Sequence, residues 1–276
     1  MEPNTLNIPV LALRGLTVFP HTNLTFDVER RISIKALEVA METGQEIFLV
    51  TQREIGVEKP TEKDLYTMGT VSRVTQILRL GKSSLRVMVE GGRRACLRRL
   101  WQTEPFLQAN VEAIPEEPSS EAMRKSPRTE ALLRQTYALF GEYAEQASGV
   151  PEEVVATVMD SRDPGFLADY IAQNIALRYT DKQEILEEFS PFARLRKLNG
   201  FLVRENNVLG FEHEMESKVR DQLVRTQRDQ ILRTQIRVLQ NELGETDDGD
   251  EDEIESYRQE ILALELPEET EEVSAP

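Results

Sequence analysis

Over residues 7–114 the apolar positions recur mainly at a spacing of two. Leu24, Phe26 and Val28 alternate with polar neighbours, as do Leu85, Val87 and Val89, and again Leu107, Ala109, Val111 and Ala113. Successive side chains on a strand point to opposite faces, so each set predicts a half-buried strand. Ile8 to Leu13 is apolar and extended, held open by Pro9. Ile47-Phe48-Leu49-Val50 is a continuous apolar run, the pattern of a strand covered on both faces. Ala95, Leu97 and Trp101 are assigned to one face of a further strand. Short strands this closely spaced predict a small barrel or sandwich. One helix interrupts them: Ser33 to Met41 sets Ile34, Leu37 and Met41 at helical spacing. Thr61-Glu62-Lys63-Asp64 has the form of a cap on a shorter turn.

The period then changes. Pro115, Pro118, Pro127 and three serines break any pattern and mark a linker. Beyond it, helix start signals recur. Ser126-Pro127 precedes Leu132, Leu133, Leu139, Phe140 and Tyr143; Pro151-Glu152-Glu153 precedes Val154, Val155, Val158 and Met159. Asp163-Pro164 precedes Phe166, Leu167, Tyr170 and Ile171, and Thr180 with Gln183 has the spacing of a capping box. Each segment carries one apolar stripe, so a small bundle is expected. Ser190-Pro191 then opens a single helical pattern that runs to Leu243, with a stop at Gly244. Leu195, Leu198 and Leu202 supply its bundle stripe. Val208, Phe211, Met215, Val219 and Leu223 continue it thinly, and Leu232, Ile236, Leu239 and Leu243 resume after a polar stretch. A helix of that length would reach about 80 Å, longer than a compact domain of this chain is wide. Such an arm is expected to project and to meet a partner helix. Gly200 and Gly210 are the places where it would kink or break. A last short helix is expected over Ile254 to Leu266.

The predicted class is therefore α+β. A β domain occupies 1–117, a linker 118–127, a helical bundle 128–202, a long arm 203–244 and an acidic flexible tail 245–276. The charge of −16 is local: residues 245–276 hold 14 acids and one base, Arg258, and so carry −13 of it. This argues for a solvated tail rather than an acidic fold, and against a general nucleic-acid binder. The single cysteine, Cys96, excludes an intrachain disulfide and is expected as a buried thiol. Met1-Glu2-Pro3-Asn4-Thr5 has no basic or apolar leader character, and no run approaches 18 apolar residues, so a cytoplasmic, membrane-free protein is expected.

Motifs for chemistry are sparse. Gly81-Lys82-Ser83 lacks the glycine five positions earlier that a phosphate loop needs; Gln76 stands there, and a hairpin turn is the better reading. His21 and His213 are the only histidines, without metal-site spacing around either. His21 reads as a turn or packing residue, and His213 as solvated. The bases Lys218, Arg220, Arg225, Arg228, Arg233 and Arg237 read as a solvated helix face without interleaved aromatics.

Assembled in order, several segments resemble the N-terminal region of the bacterial Lon ATP-dependent proteases. They are Leu11-Ala12-Leu13-Arg14-Gly15 with Val18-Phe19-Pro20-His21, Ser33-Ile34-Lys35-Ala36-Leu37-Glu38, and Thr61-Glu62-Lys63-Asp64-Leu65-Tyr66 with Gly69-Thr70-Val71. Val87-Met88-Val89-Glu90-Gly91 with Arg93-Arg94-Ala95, Asp163-Pro164-Gly165 with Leu167-Ala168-Asp169, and Lys182 to Phe189 extend the match. Gln227 to Leu232 and Leu239 to Glu245 carry it along the arm.

The resemblance implies a PUA-like β-barrel, a helical bundle and a long helix leading to a ring-forming ATPase. It implies binding of unfolded or degron-bearing proteins, association with the family's own ATPase and peptidase domains, and a hexameric homo-oligomer. The Asp-Gly-x-Ser-Ala-Gly setting of the peptidase serine has no counterpart: Asp248-Gly249 is followed by Asp250-Glu251. No catalytic, metal or cofactor residue is therefore expected on this chain, and ATP and Mg are implied only for an ATPase domain outside it. Candidate client contacts are Phe19, Pro20, Leu78, Leu80, Phe201 and Met215, each weighed against core packing. A stand-alone oligomerising adaptor and an RNA-binding PUA-like protein are the alternatives.

Overall fold

The computed structural model describes residues 5–81, 84–115, 126–147 and 149–243, with side chains as far as residue 240. The linker, the stop at Gly244, the Ile254 to Leu266 segment, Lys82, Ser83 and Asp248-Gly249 fall wholly or largely outside these residues.

Six strands form the β part: β1 Thr5–Leu13, β2 Asn23–Val28, β3 Glu46–Thr51, β4 Met68–Arg79, β5 Leu85–Gln102 and β6 Leu107–Ala113. Their order is β2-β5-β4-β3-β1-β6, and a further β5–β6 pairing closes β5, β4, β3, β1 and β6 into a ring. β5 manages this because it is 18 residues long. Its first half pairs with β2, its second half with β6, and β4 runs alongside both. β2 pairs with β5 alone. β1 and β3 are parallel, so the chain between them must cross over. Helix α1, Arg31–Glu42, lies in that crossover.

The continuous apolar runs of β1 and β3 are explained by two cores. Val10, Ala12, Phe48 and Val50 face one cluster with Leu107, Ala109 and Val111. Leu11, Leu13, Ile47 and Leu49 face the other, against Ala36, Leu37 and Ala40 of α1. A strand buried on both sides has no polar face to alternate with.

Two local expectations are corrected here. α1 buries Ser33, Ala36, Leu37 and Ala40, while Met41 is exposed. The small alanines let the helix lie close to the sheet, and the stripe turns away from Met41. Ala95, Leu97 and Trp101 do not share a face. A register shift between Leu97 and Arg99 adds a residue to β5, and Trp101 emerges half exposed with its indole N–H donating to Asn7 Oδ1 at 3.0 Å.

Helices α2 Pro127–Gln146, α3 Glu152–Asp160, α4 Pro164–Asn174, α5 Tyr179–Leu186 and α6 Pro191–Leu243 follow. The predicted caps at α2 and α4 are present. Ser126 Oγ accepts from Thr129 N–H, and Asp163 Oδ1 accepts from the N–H groups of Gly165 and Phe166. The capping box at Thr180 is absent. α5 begins at Tyr179 without a side-chain cap, and Gln183 instead donates to the Met68 carbonyl of β4 at 3.0 Å. α6 is helical throughout, across Gly200 and Gly210. Leu195, Leu198 and Leu202 are fully buried against the bundle.

By its own contacts the chain divides into Met1–Phe211 and Glu212–Pro276. Within the first unit a loop of the β part reaches into the helical core. Phe19, from the loop after β1, sits in the helical core with Leu167, Ile171 and Leu195. That loop is pressed against Gly91 of β5: the Gly91 N–H donates to Thr22 O, and a Cβ at Gly91 would lie 2.0 Å from Phe19 O. Only glycine permits that approach.

Candidate protein-binding surface

One buried ion cluster fixes how the helices sit on the sheet. Arg94 of β5 and Arg194 of α6 both donate to Asp169 of α4, at 2.5 Å to Oδ1 and 2.7 Å to Oδ2. All three side chains are no more than 2% exposed. Further guanidinium hydrogens go to helix ends. Arg94 Nε donates to Leu186 O, and Arg194 donates to the carbonyls of Glu188 and Phe189. These are carbonyls at and beyond the end of α5, which lack partners of their own helix. A second cluster lies nearby. Burial pushes the Asp181 carboxyl up, but hydrogen bonds from Arg178 at 3.0 Å and Arg204 at 2.6 Å outweigh it and hold the group below the usual carboxylate range.

Lys182, next along α5, donates to the Gln173 carbonyl at 3.1 Å. Burial lowers its pKa from 10.5 to about 8. The charged amine is thus disfavoured in the folded state. Below pH 8 both states carry the proton and the fold bears the cost. Between pH 8 and 10.5 the folded amine is neutral while the unfolded one remains charged, so stability rises with pH across that window. Allowing for partial exposure, Lys182→Met is expected to be about 1–3 kcal/mol more stable than the parent at pH 7. That advantage should fade by pH 10.5, read from urea denaturation of both proteins at each pH; a pH-independent difference would rule it out.

The six candidate contact residues separate into three environments. Phe19 and Pro20 are buried, Phe19 completely, so neither presents a surface to a client. Phe201 is partly buried under the Arg204 guanidinium, 5.0 Å from the ring centre. Leu78 and Leu80, at 50% and 47% exposure, stand open at the end of β4 with Met88 of β5 close by on the same hairpin. Met215, 67% exposed, belongs to the Glu212–Pro276 unit. In that unit every described side chain is exposed, including Val219, Leu223, Ile236 and Leu239. His21 occupies a left-handed turn (φ 59°), and Cys96 is only partly buried. Its thiol lies 3.7 Å from the Leu97 carbonyl.

A cleft of about 740 Å³ opens where the end of β1, the start of α1 and the segments around 58–60 and 104–107 meet. Its floor is apolar, with Ile32, Pro60 and Leu107. Its charged groups are Arg14, Arg30, Arg31 and Lys59 against Glu58 and Glu104. Arg30 is held in place by Gln52 Oε1 at 2.7 Å and by the Ala12 carbonyl, and Arg14 by the Val57 carbonyl at 3.1 Å. Burial, followed by the neighbouring Arg14 charge, lowers the Arg30 pKa, against an opposing pull from Glu58. None of these residues was singled out for chemistry from the sequence, because they come from separate segments that only the fold brings together. Arg94 and Asp169 had one usable signal: each is a charge set among apolar residues on a core-facing stretch.

Among the described residues no group of three or more His, Cys, Asp or Glu is arranged to hold a metal, and no helix is long and apolar enough to cross a membrane.

Comparison with known proteins places this architecture. The Lon protease of Syntrophomonas wolfei is 38% identical over 265 residues, covering 96% of this chain and 32% of that protein. The Lon protease of Brevibacillus choshinensis is 38% identical over 261 residues, covering 95% of this chain and 33% of that protein. The chain thus spans about a third of the length of these relatives. The N-terminal domain of a Mycobacterium avium complex Lon protease has the same fold. It superposes with a TM-score of 0.58 at 19% identity, covering 72% of this chain and 98% of that one. The sequence model of the ATP-dependent protease La (LON) substrate-binding domain matches residues 7–204, from the first strand through the buried part of α6, and the chain belongs to that family.

Proposed function

We propose that this chain holds unfolded or degron-bearing proteins for a Lon-type ATP-dependent serine protease. Its work is binding rather than bond breaking. ATP, Mg and the Ser-Lys chemistry belong to domains beyond it, and the assembly is a cytoplasmic homo-oligomer, hexameric as the resemblance implies. The observation that carries the client reading is the open apolar patch of Leu78, Leu80 and Met88. Unfolded chains expose apolar segments, and several weak apolar contacts retain them without demanding one sequence. The apolar positions of α6 from Phe211 to Leu239 support the assembly reading, since their three- and four-residue spacing suits a second helix.

The test compares a permanently unfolded model protein with its native form, each titrated into the purified chain. The unfolded form is expected to bind, and Leu78→Asp with Leu80→Asp to weaken it by about threefold or more. Equal binding of native and unfolded forms would refute the reading. Sedimentation velocity on the same samples checks the assembly: association that rises with concentration and falls in a Val219→Lys, Leu223→Lys variant is expected, and identical profiles for parent and variant would remove the arm from it.

A further inference from the structure

We propose that the cleft between α1 and the segments around 58–60 and 104–107 binds an extended peptide in which a carboxylate side chain adjoins a large apolar one. This rests on the client reading above and gives it a chemical class.

The charges define the ligand's sign. Lys59 and Glu104 lie 3.2 Å apart and neutralise each other at the rim. Three arginines, Arg14, Arg30 and Arg31, then face one remaining carboxylate, Glu58. Arg14 and Arg30 are tethered by main-chain and glutamine oxygens, so their charges are positioned but not balanced. Arg31 is exposed and makes no hydrogen bond or ion pair with any other described residue. A carboxylate entering here relieves the mutual repulsion of the arginines and accepts planar, two-pronged hydrogen bonds.

The floor defines the rest. Pro60 and Leu107 are buried and Ile32 is partly buried, so the cleft combines an inner apolar lining with its cationic side chains. Its volume, about 740 Å³, is in the range that takes a small ligand or two side chains. A free anion would leave that apolar floor in contact with water, whereas an aromatic or leucine side chain beside the acid covers it. Peptide main chain approaching from the open side needs no terminus, so an internal segment of a client fits.

The experiment uses the intact chain and a fluorescein-labelled, amidated pentapeptide, Gly-Leu-Asp-Phe-Gly, followed by fluorescence anisotropy. Binding is expected to weaken by about tenfold when the peptide's Asp is replaced by Asn, and by a similar factor with R31E. A peptide carrying Lys in place of Asp should regain affinity for R31E, a rescue that mere loss of structure cannot produce. Replacing the peptide's Leu and Phe by Ser should also abolish binding. Equal affinity for the Asp and Asn peptides, or no coupling between R31E and peptide charge, overturns the proposal. So does displacement by inorganic phosphate or a short RNA as effective as unlabelled peptide. If the unfolded model protein is still captured in that case, only the cleft assignment falls; if it is not captured, the client reading falls as well.

Discussion

Asp169→Ala is expected to lower the stability of the Met1–Phe211 unit by about 3–5 kcal/mol, or about 10 °C in Tm. The carboxylate is 1% exposed and accepts from two guanidinium groups that are themselves 2% and 0% exposed. Removing it leaves two positive charges buried side by side. The carbonyls of Leu186, Glu188 and Phe189 satisfy some of their hydrogens but supply no full negative charge. A domain typically has only about 5–15 kcal/mol in hand, so the variant should be partly unfolded at physiological temperature. Chemical denaturation followed by circular dichroism measures the loss. A companion variant, Arg94→Met with Asp169→Leu and Arg194→Met, removes the charges together and should recover most of it. If Asp169→Ala unfolds at the parent's denaturant midpoint, the cluster does not hold the helices to the sheet.

Phe19→Ala carries the second large effect, about 3–5 kcal/mol, from deleting a fully buried ring. It shares a core cluster with Leu167 and Ile171 of α4 and Leu195 of α6, so the cavity opens between the loop after β1 and two helices. The same substitution separates two roles for this residue. A client contact predicts weaker binding at unchanged stability; a core residue predicts a lower melting temperature, with binding to the Leu78 and Leu80 patch retained below it. Thermal melts and the unfolded-protein titration on one preparation decide between them, and the second result is expected.

The elements that could be read from sequence are those whose environment is uniform along their length. β6 alternates buried and half-buried residues from Leu107 to Ala113 without interruption, and its pattern is visible directly. β3 is covered on both faces, and its unbroken apolar run says so. β5 defeats the same reasoning because its register shifts past Leu97, and Trp101 changes face. α1 misleads because its closest packing is made by Ala36 and Ala40, which carry little weight in an apolar count beside Met41. Gln183 has the spacing of a cap and spends its amide on β4 instead. Of the candidate contacts, Leu78, Leu80 and Met215 are the ones the fold leaves exposed, the first two on a hairpin and the third on the arm. Phe19 is covered instead: its partners lie about 150 positions further along, as in the 154-residue separation of Phe19 and Gln173. The cleft was invisible because Arg14, Arg31 and Lys59 become neighbours only through the crossover between parallel β1 and β3.

The same long-range stitching constrains how the polypeptide matures as it leaves the ribosome. Thr17 reaches the Tyr179 carbonyl, Arg94 the Leu186 carbonyl and Gln183 the Met68 carbonyl. A nascent chain that has emerged only as far as β6 therefore holds Phe19 without a lid and Arg94 without its counter-charge. Ring closure between β5 and β6 can precede helix synthesis, but the interior is sealed only after the first turns of α6 are out. Translation pausing between the last strand and Leu202 would thus leave a half-finished body displaying the kind of greasy surface that quality-control machinery seeks.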